Sequence, residues 1–210
     1  MKYEYVIFDF NGTVLDDVDL CYSILNTLLS ERGYKKCESL EKYKTIFTFP
    51  IIDYYVNAGF DFTKHSFESI AKEFIEIYQP NSYKCKIYDG IIKICKKLKN
   101  EGYKLILLSA SKYENLLEQV NYFQIGDLFD EILGISNIHA KSKLGIAKKF
   151  FSDKDASKAL FIGDSVHDFE VGKELGGDVI LVSYGHQSKE ILKGTKVPVI
   201  DSIYELEKFL

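Results

Sequence analysis

The stretch Tyr3-Glu-Tyr-Val-Ile-Phe-Asp-Phe-Asn-Gly-Thr13 decides the fold. Its first part, YEYVIF, is apolar and β-branched enough for a buried strand, and it runs straight into the polar, glycine-containing DFNGT. Asp9 is therefore expected at the carboxyl end of a strand. Similar short apolar runs recur at Lys104–Leu108, Glu131–Leu133, Ala159–Ile162 and Val179–Val182, with a weaker one at Val197–Ile200. Between them apolar residues return at helical spacing: Ile91, Ile92, Cys95 and Leu98 before Gly102, then Leu116, Leu117 and Val120 after a polar loop at Ser109–Lys112. Leu144, Ala147 and Phe151, and later Ile203, Leu206 and Leu210, make two more such faces. Strand alternating with helix predicts an α/β fold, a Rossmann-like doubly wound parallel sheet that binds its ligands at the carboxyl ends of the strands.

One block breaks the alternation. From about Asp16 to Lys84 the apolar spacing is helical throughout, with Leu20, Cys21, Ile24, Leu25 and Leu28 marking one helix and Ile70, Phe74 and Ile77 another. A helical block between the first two strands of a parallel sheet reads as an inserted all-helical cap. The expected division is a core of residues 1–15 and 86–210 and a cap of residues 16–85, hinged near Asp16–Asp17 and Ser82–Tyr88.

Composition narrows the partners. The 210 residues, 46% hydrophobic and 28% charged, describe an ordinary globular chain. A net charge of −4, with 27 basic residues scattered among 31 acidic ones, argues against a nucleic-acid partner. Arg32 is the only arginine, so a substrate anion must be held by lysine, backbone N–H or metal. Cys21, Cys37, Cys85 and Cys95 lack the paired short spacings of a zinc site and read as reduced thiols. No run approaches a membrane span and the first ten residues hold no apolar signal region, so the expected location is cytoplasmic and no membrane partner is expected. Oligomeric state leaves no mark in the sequence.

Four polar motifs fall at the ends of four predicted strands: Asp9-Phe-Asn-Gly-Thr13, Ser109, Lys143 or Lys141, and Gly163-Asp164-Ser-Val-His-Asp168. With the stretches KIYDGIIKICKKLKNEGYKLILLSAS and ALFIGDSVHDFEVGKELG, the chain resembles the haloacid dehalogenase superfamily over nearly its whole length, and specifically its helical-capped members similar to phosphoglycolate phosphatase. The resemblance implies a phosphatase acting on a small phosphorylated molecule with Mg²⁺ as cofactor. Asp9 would attack phosphorus to form an aspartyl-phosphate that water hydrolyses, a route that splits one hard step into two.

The resemblance assigns further roles. Thr13 and Ser109 would bind phosphate oxygens, and Lys143 would neutralise the charge of nucleophile and phosphate. Lys143 directly precedes the helical pattern LGIAKKF and is preferred over Lys141. Asp9, the backbone carbonyl of Asn11, Asp164 and Asp168 would hold the metal; oxygen ligands beside phosphate select Mg²⁺ over zinc. Each residue also has a plainer explanation. Asp9, Ser109, Asp164 and Asp168 could cap helices, Gly12 could serve only a turn, and either lysine could be solvated. His65, His139, His167 and His186 read as surface residues, with His186 a distant candidate for a substitute acid. Tyr43, Phe47, Phe49, Tyr54 and Tyr55 could line a substrate pocket, though ordinary helix packing is preferred.

One residue departs from the pattern. Phosphatases of this kind carry Asp two residues after the nucleophile, as the acid that protonates the leaving oxygen and later activates water. Asn11 can do neither, and such help is worth ~10²–10⁴ in rate. Three possibilities follow: a slow or selective phosphatase, a phosphate-binding regulator without turnover, or, less expected, a phosphonate or halide hydrolase of the same superfamily. Restoring the acid by Asn11→Asp is expected to raise rates on alkyl esters most.

Overall fold

The computed structural model describes residues 2–135 and 142–210. In chain order the elements are β1 (Tyr5–Phe8), β2 (Leu15–Asp16), α1 (Val18–Glu31), α2 (Leu40–Ile46), α3 (Ile51–Ala58), α4 (Phe67–Ser82), β3 (Lys86–Ile87), α5 (Ile91–Asn100) and β4 (Lys104–Lys112). There follow α6 (Tyr113–Tyr122), β5 (Glu131–Ile135), α7 (Lys143–Phe150), β6 (Ala159–Gly163), α8 (Val166–Glu174), β7 (Asp178–Val182), α9 (Lys189–Lys193) and β8 (Val199–Ile200).

Six strands form one parallel sheet in the order β5-β4-β1-β6-β7-β8. Alternation along each strand sends successive side chains to opposite faces. Val6, Phe8, Leu105, Leu107, Leu160 and Ile162 pack on one face against Ile91, Ile94 and Leu98 of α5 and Leu116 and Val120 of α6. Tyr5, Ile7, Ile106, Leu108, Phe161 and Leu181 pack on the other, against Ile146 and Ala147 of α7 and Val171 of α8. The sheet is thus doubly wound, as the alternating pattern predicts. Its order reverses at β1, which has β4 on one side and β6 on the other. That reversal opens a crevice directly above Asp9.

Helices α1 to α4 lie between β2 and β3 and bury a third apolar cluster of their own, including Ile24, Leu25, Leu28, Tyr43, Tyr54, Tyr55 and Ile70. At the base of this helical region β2 and β3 pair antiparallel, Leu15 opposite Ile87 and Asp16 opposite Lys86. Two-residue strands show no period in a sequence. The structure differs from the pattern at two other places. The segment Ser109–Lys112 is not a loop: β4 continues through it, pairing Lys112 with Ile135 after a register shift. Ile203–Lys208 forms a 3₁₀ helix, which buries Ile203 and Leu206 three residues apart.

Candidate active site

The loop after β1 is tight. The N–H groups of Val14 and Leu15 both donate to the Phe10 carbonyl at 2.8 Å, and the chain reverses at Gly12 with φ +71°. A Cβ at Gly12 would overlap the carboxylate of Asp164 and the ring of His186, so both the backbone angle and the close approach require glycine. Gly12 N–H donates to Leu15 O at 3.0 Å and to Asp17 Oδ1 at 2.9 Å.

Three carboxylates converge over the ends of β1 and β6. Oxygens of Asp9, Asp164 and Asp168 lie within 4.8 Å of one another. Lys143, the first residue of α7, is 5% exposed and donates its ammonium to Asp9 Oδ1 and, at 2.5 Å, to Asp168 Oδ1. Asp168 also completes the capping box of α8 with the N-cap Ser165: Oδ2 accepts from Ser165 N–H at 3.1 Å and Ser165 Oγ at 2.6 Å, leaving Oδ1 for Lys143. Asp164 Oδ2 accepts from His186 N–H at 2.5 Å.

Burial raises the Asp9 carboxyl well above its usual range; Lys143 offsets this in part, while Asp168 and Asp164 add to it. Burial likewise pushes Asp164 up to about 6, against the opposing pull of His186. For Asp168 burial acts upward, but Lys143 and Ser165 hold the carboxyl below its ordinary value. Burial acts to lower the Lys143 ammonium, and Asp168 and Asp9 more than reverse it. Three converging carboxylates stand beside a single ammonium, which pairs with Asp9 and Asp168, and this concentration of acids suits a cation. Asp9, Asp164 and Asp168 offer only oxygen, which fits a hard divalent ion.

Asn11 sits in a second network that the sequence does not announce. Its Nδ2 donates to Asp17 Oδ2 at 2.9 Å and to the Tyr78 hydroxyl at 2.6 Å. Its Oδ1 accepts from Ser111 Oγ at 3.0 Å, with Ser109 Oγ at 3.5 Å. Asp17 is 1% exposed and also accepts from Tyr78 at 2.6 Å and pairs with His186 Nε2 at 3.2 Å. Burial works to raise the Asp17 carboxyl, but His186, Tyr78 and Asn11 draw it below its usual range. His186 is 3% exposed, which corrects the surface assignment: Tyr43 OH covers its Nδ1 at 2.7 Å and Phe47 stacks on its ring at 4.7 Å. Burial works to lower the His186 imidazole, and Asp17 outweighs it. Cys21 completes a cluster with Asp17 and His186, but both oxygens of Asp17 already accept hydrogen bonds and burial raises the thiol well above its usual range. That cluster is a hydrogen-bonded one.

The predicted site residues Asp9, Asn11, Ser109, Lys143, Asp164 and Asp168 all line one cavity of about 990 Å³. Thr13 does not. It is fully buried in the loop, its N–H donating to Phe10 O at 3.3 Å and its hydroxyl without a partner among the described residues. Lys141 and His139 lie outside the described residues. The five cap aromatics do more than pack helices, for all of them line the cavity, with Phe47 and Phe49 half-buried there. Asp17, Tyr78 and Ser111 escaped the sequence reading. Asp17 stands at the N-cap of α1, where an acid looks like a helix cap, yet its carboxylate caps nothing and turns back to the β1 loop. Ser111 is two residues beyond Ser109 on an extended strand and so faces the same way.

Residues 6–182 match a family model described as haloacid dehalogenase-like hydrolase. A phosphoglycolate phosphatase of Pseudomonas fluorescens is 27% identical over 96% of this chain and 77% of its own length. A pyrophosphatase of Bacillus cereus is 23% identical over 93% of this chain and 90% of its own. The solved structure of a haloacid dehalogenase-like hydrolase from Streptococcus pneumoniae superposes with a TM-score of 0.84 at 17% identity, over 99% of this chain and 98% of that one. No described helix is long and apolar enough to cross a membrane.

Proposed function

Because the chain belongs to the haloacid dehalogenase-like hydrolases, we propose that it is a Mg²⁺-dependent phosphatase of a small phosphorylated molecule, working through an aspartyl-phosphate on Asp9. The observation that carries this reading is the convergence of Asp9, Asp164 and Asp168 at the sheet's switch point, with the Lys143 ammonium paired to Asp9 and Asp168. Asp9, Asp164, Asp168 and the backbone carbonyl of Asn11 would hold the ion. Mg²⁺ supplies charge stabilisation for the phosphoryl oxygens and a fixed orientation for the phosphate.

This chain's own residues do the rest. Asp9 opens onto the cavity and attacks phosphorus with a carboxylate oxygen as the ester oxygen departs with the bonding pair. Lys143 opposes the effect of burial on the Asp9 carboxyl and meets the charge of the transferring group. Hydroxyls of Ser109 and Ser111 line the same wall and can donate to phosphate oxygens. Asn11, held by Asp17, Tyr78 and Ser111, acts as a fixed amide and neither gives nor takes a proton. Departure therefore depends on the leaving group's own acidity.

A screen of phosphate esters and acyl phosphates with Mg²⁺ tests this function. Phosphate release that disappears with excess EDTA and in Asp9→Asn is expected. Undiminished release under either condition, with metal content verified as nil for the EDTA arm, overturns it.

A further inference from the structure

We propose that the substrate is a phosphate monoester of a phenolic ring, with the ring held against the cap's aromatic wall; this rests on the phosphatase reading above. The cavity that contains Asp9, Ser109 and Lys143 continues up to Phe47, Phe49, Ile51, Phe74 and Ile75. At about 990 Å³ it stands at the upper end of pockets that enclose drug-sized ligands. A two-carbon phosphorylated acid leaves most of it empty.

Charge separates the classes further. Phosphoglycolate and pyrophosphate, for which the relatives are named, each carry a second anionic group. Cavity-lining residues contributed by the helical cap include no lysine, arginine or histidine. Arg32, the chain's single arginine, is committed to Glu73 and lies away from the cavity. Lys112 and Lys143, which do line it, belong to the core, and Lys143 is occupied by two carboxylates. An anionic leaving group would meet no cationic side chain on the cap side.

An aromatic leaving group would instead meet prepared surfaces. Phe49 is stacked on His167 with ring centres 4.6 Å apart, and Phe47 on His186 at 4.7 Å, so both rings are braced from the core side. A substrate ring in the cavity that Phe47, Phe49 and Phe74 all line would gain edge and face contacts in addition to area burial.

Asn11 points the same way for an independent reason. A phenol has a pKa of about 10, whereas an alkoxide is nearly as basic as hydroxide, whose conjugate acid titrates at about 15.7. Without an acid at position 11, the phenolate can leave and the alkoxide cannot leave readily. The step balances as follows: an Asp9 oxygen bonds to phosphorus, and the phosphorus–phenolic oxygen bond breaks with its electron pair going to the phenolate. Water then attacks phosphorus, releasing inorganic phosphate and Asp9, and its proton ends on the phenol.

Two measurements with Mg²⁺ test the proposal. Calorimetry compares phenylphosphonate with methylphosphonate, which share the headgroup and are not hydrolysed; burial of the ring predicts an affinity ratio of about thirtyfold. Phe49→Ala, and separately the surface-tolerated Ile75→Glu, are each expected to cut that ratio about tenfold. Turnover of phenyl phosphate should exceed that of phosphoglycolate in kcat/KM by about a hundredfold or more. Equal affinity for the two phosphonates, or a ratio unmoved in both variants, overturns the ring site whether or not the protein turns over. Ring-selective binding with no hydrolysis of any ester overturns the phosphatase reading, and the substrate assignment with it.

Discussion

Replacing Asn11 by Asp looks from the sequence like restoring a missing acid, and the structure predicts the opposite for stability. Asn11 Nδ2 stands 2.9 Å from Asp17 Oδ2, so the substitution sets a second carboxylate against one that is 1% exposed. Two charges with centres about 4 Å apart at an effective dielectric of about 20 repel by about 4 kcal/mol. Escape by taking up a proton is no cheaper: holding one at pH 7 on a carboxyl that ordinarily titrates near 4 costs about three units, again about 4 kcal/mol. Tyr78 and His186 soften either route, and a loss of about 3 kcal/mol in Asn11→Asp is expected, a large share of a typical domain's stability. Asp17→Asn alone should cost about 2 kcal/mol, because the Tyr78, Gly12 and His186 contacts lose their charged acceptor. The double variant recreates one carboxylate facing one amide. Its loss should fall short of the sum by about 2–3 kcal/mol, within the range seen for residues in direct contact. Urea unfolding followed by circular dichroism, in EDTA so that metal cannot mask the repulsion, gives all four corners of the cycle. An Asn11→Asp protein as stable as the parent, or additive losses, refutes the reasoning.

Other consequences concern the same loop and its neighbours. Asn-Gly steps deamidate when the following N attacks the amide carbon. Here Gly12 N–H is bonded to Asp17 and Leu15 and the Asn11 amide is held at both ends, so peptide mapping should find conversion at Asn11 far slower in folded protein than in urea. Equal rates would contradict the assigned loop. Lys143→Ala leaves Asp9 and Asp168 without their shared counter-ion and should lower stability in EDTA by about 3 kcal/mol; a change below about 0.5 kcal/mol would show that the ammonium is not seated there. Asp164→Asn removes one of three converging carboxylates and should raise the Mg²⁺ concentration needed for half-maximal activity by at least about tenfold, the low end of what second-shell changes alone produce. An unshifted Mg²⁺ titration would take Asp164 out of the metal site.

The parallel sheet was legible because its strands are short, apolar and bounded by polar turns, and because helical periods separate them. What escaped depends on tertiary contact. β4 extends through Ser109 to Lys112 because β5 offers a partner, which no local pattern in SASK reveals. Asp9, Asp164, Asp168 and Lys143 were singled out as strand-end residues, and parallel topology brings such ends to one place. Asp17, Tyr78 and His186 come from a helix start, a cap helix and a distant loop, and only the folded chain joins them. An isolated histidine in SYGHQS resembles a surface residue until Tyr43 and Phe47 of the cap close over it. The amide at position 11 is intelligible only beside the carboxylate it donates to.

Covalent capture at Asp9 tests the phosphatase mechanism most directly. Protein mixed with phenyl phosphate and Mg²⁺ is quenched during turnover, reduced with borohydride to convert an acyl phosphate into a stable alcohol, and mapped by mass. Conversion of Asp9 alone, absent without substrate and absent in Asp9→Asn, is the predicted result. Sustained turnover with Asp9 unconverted, or with the phosphoryl group found on another residue, would contradict it.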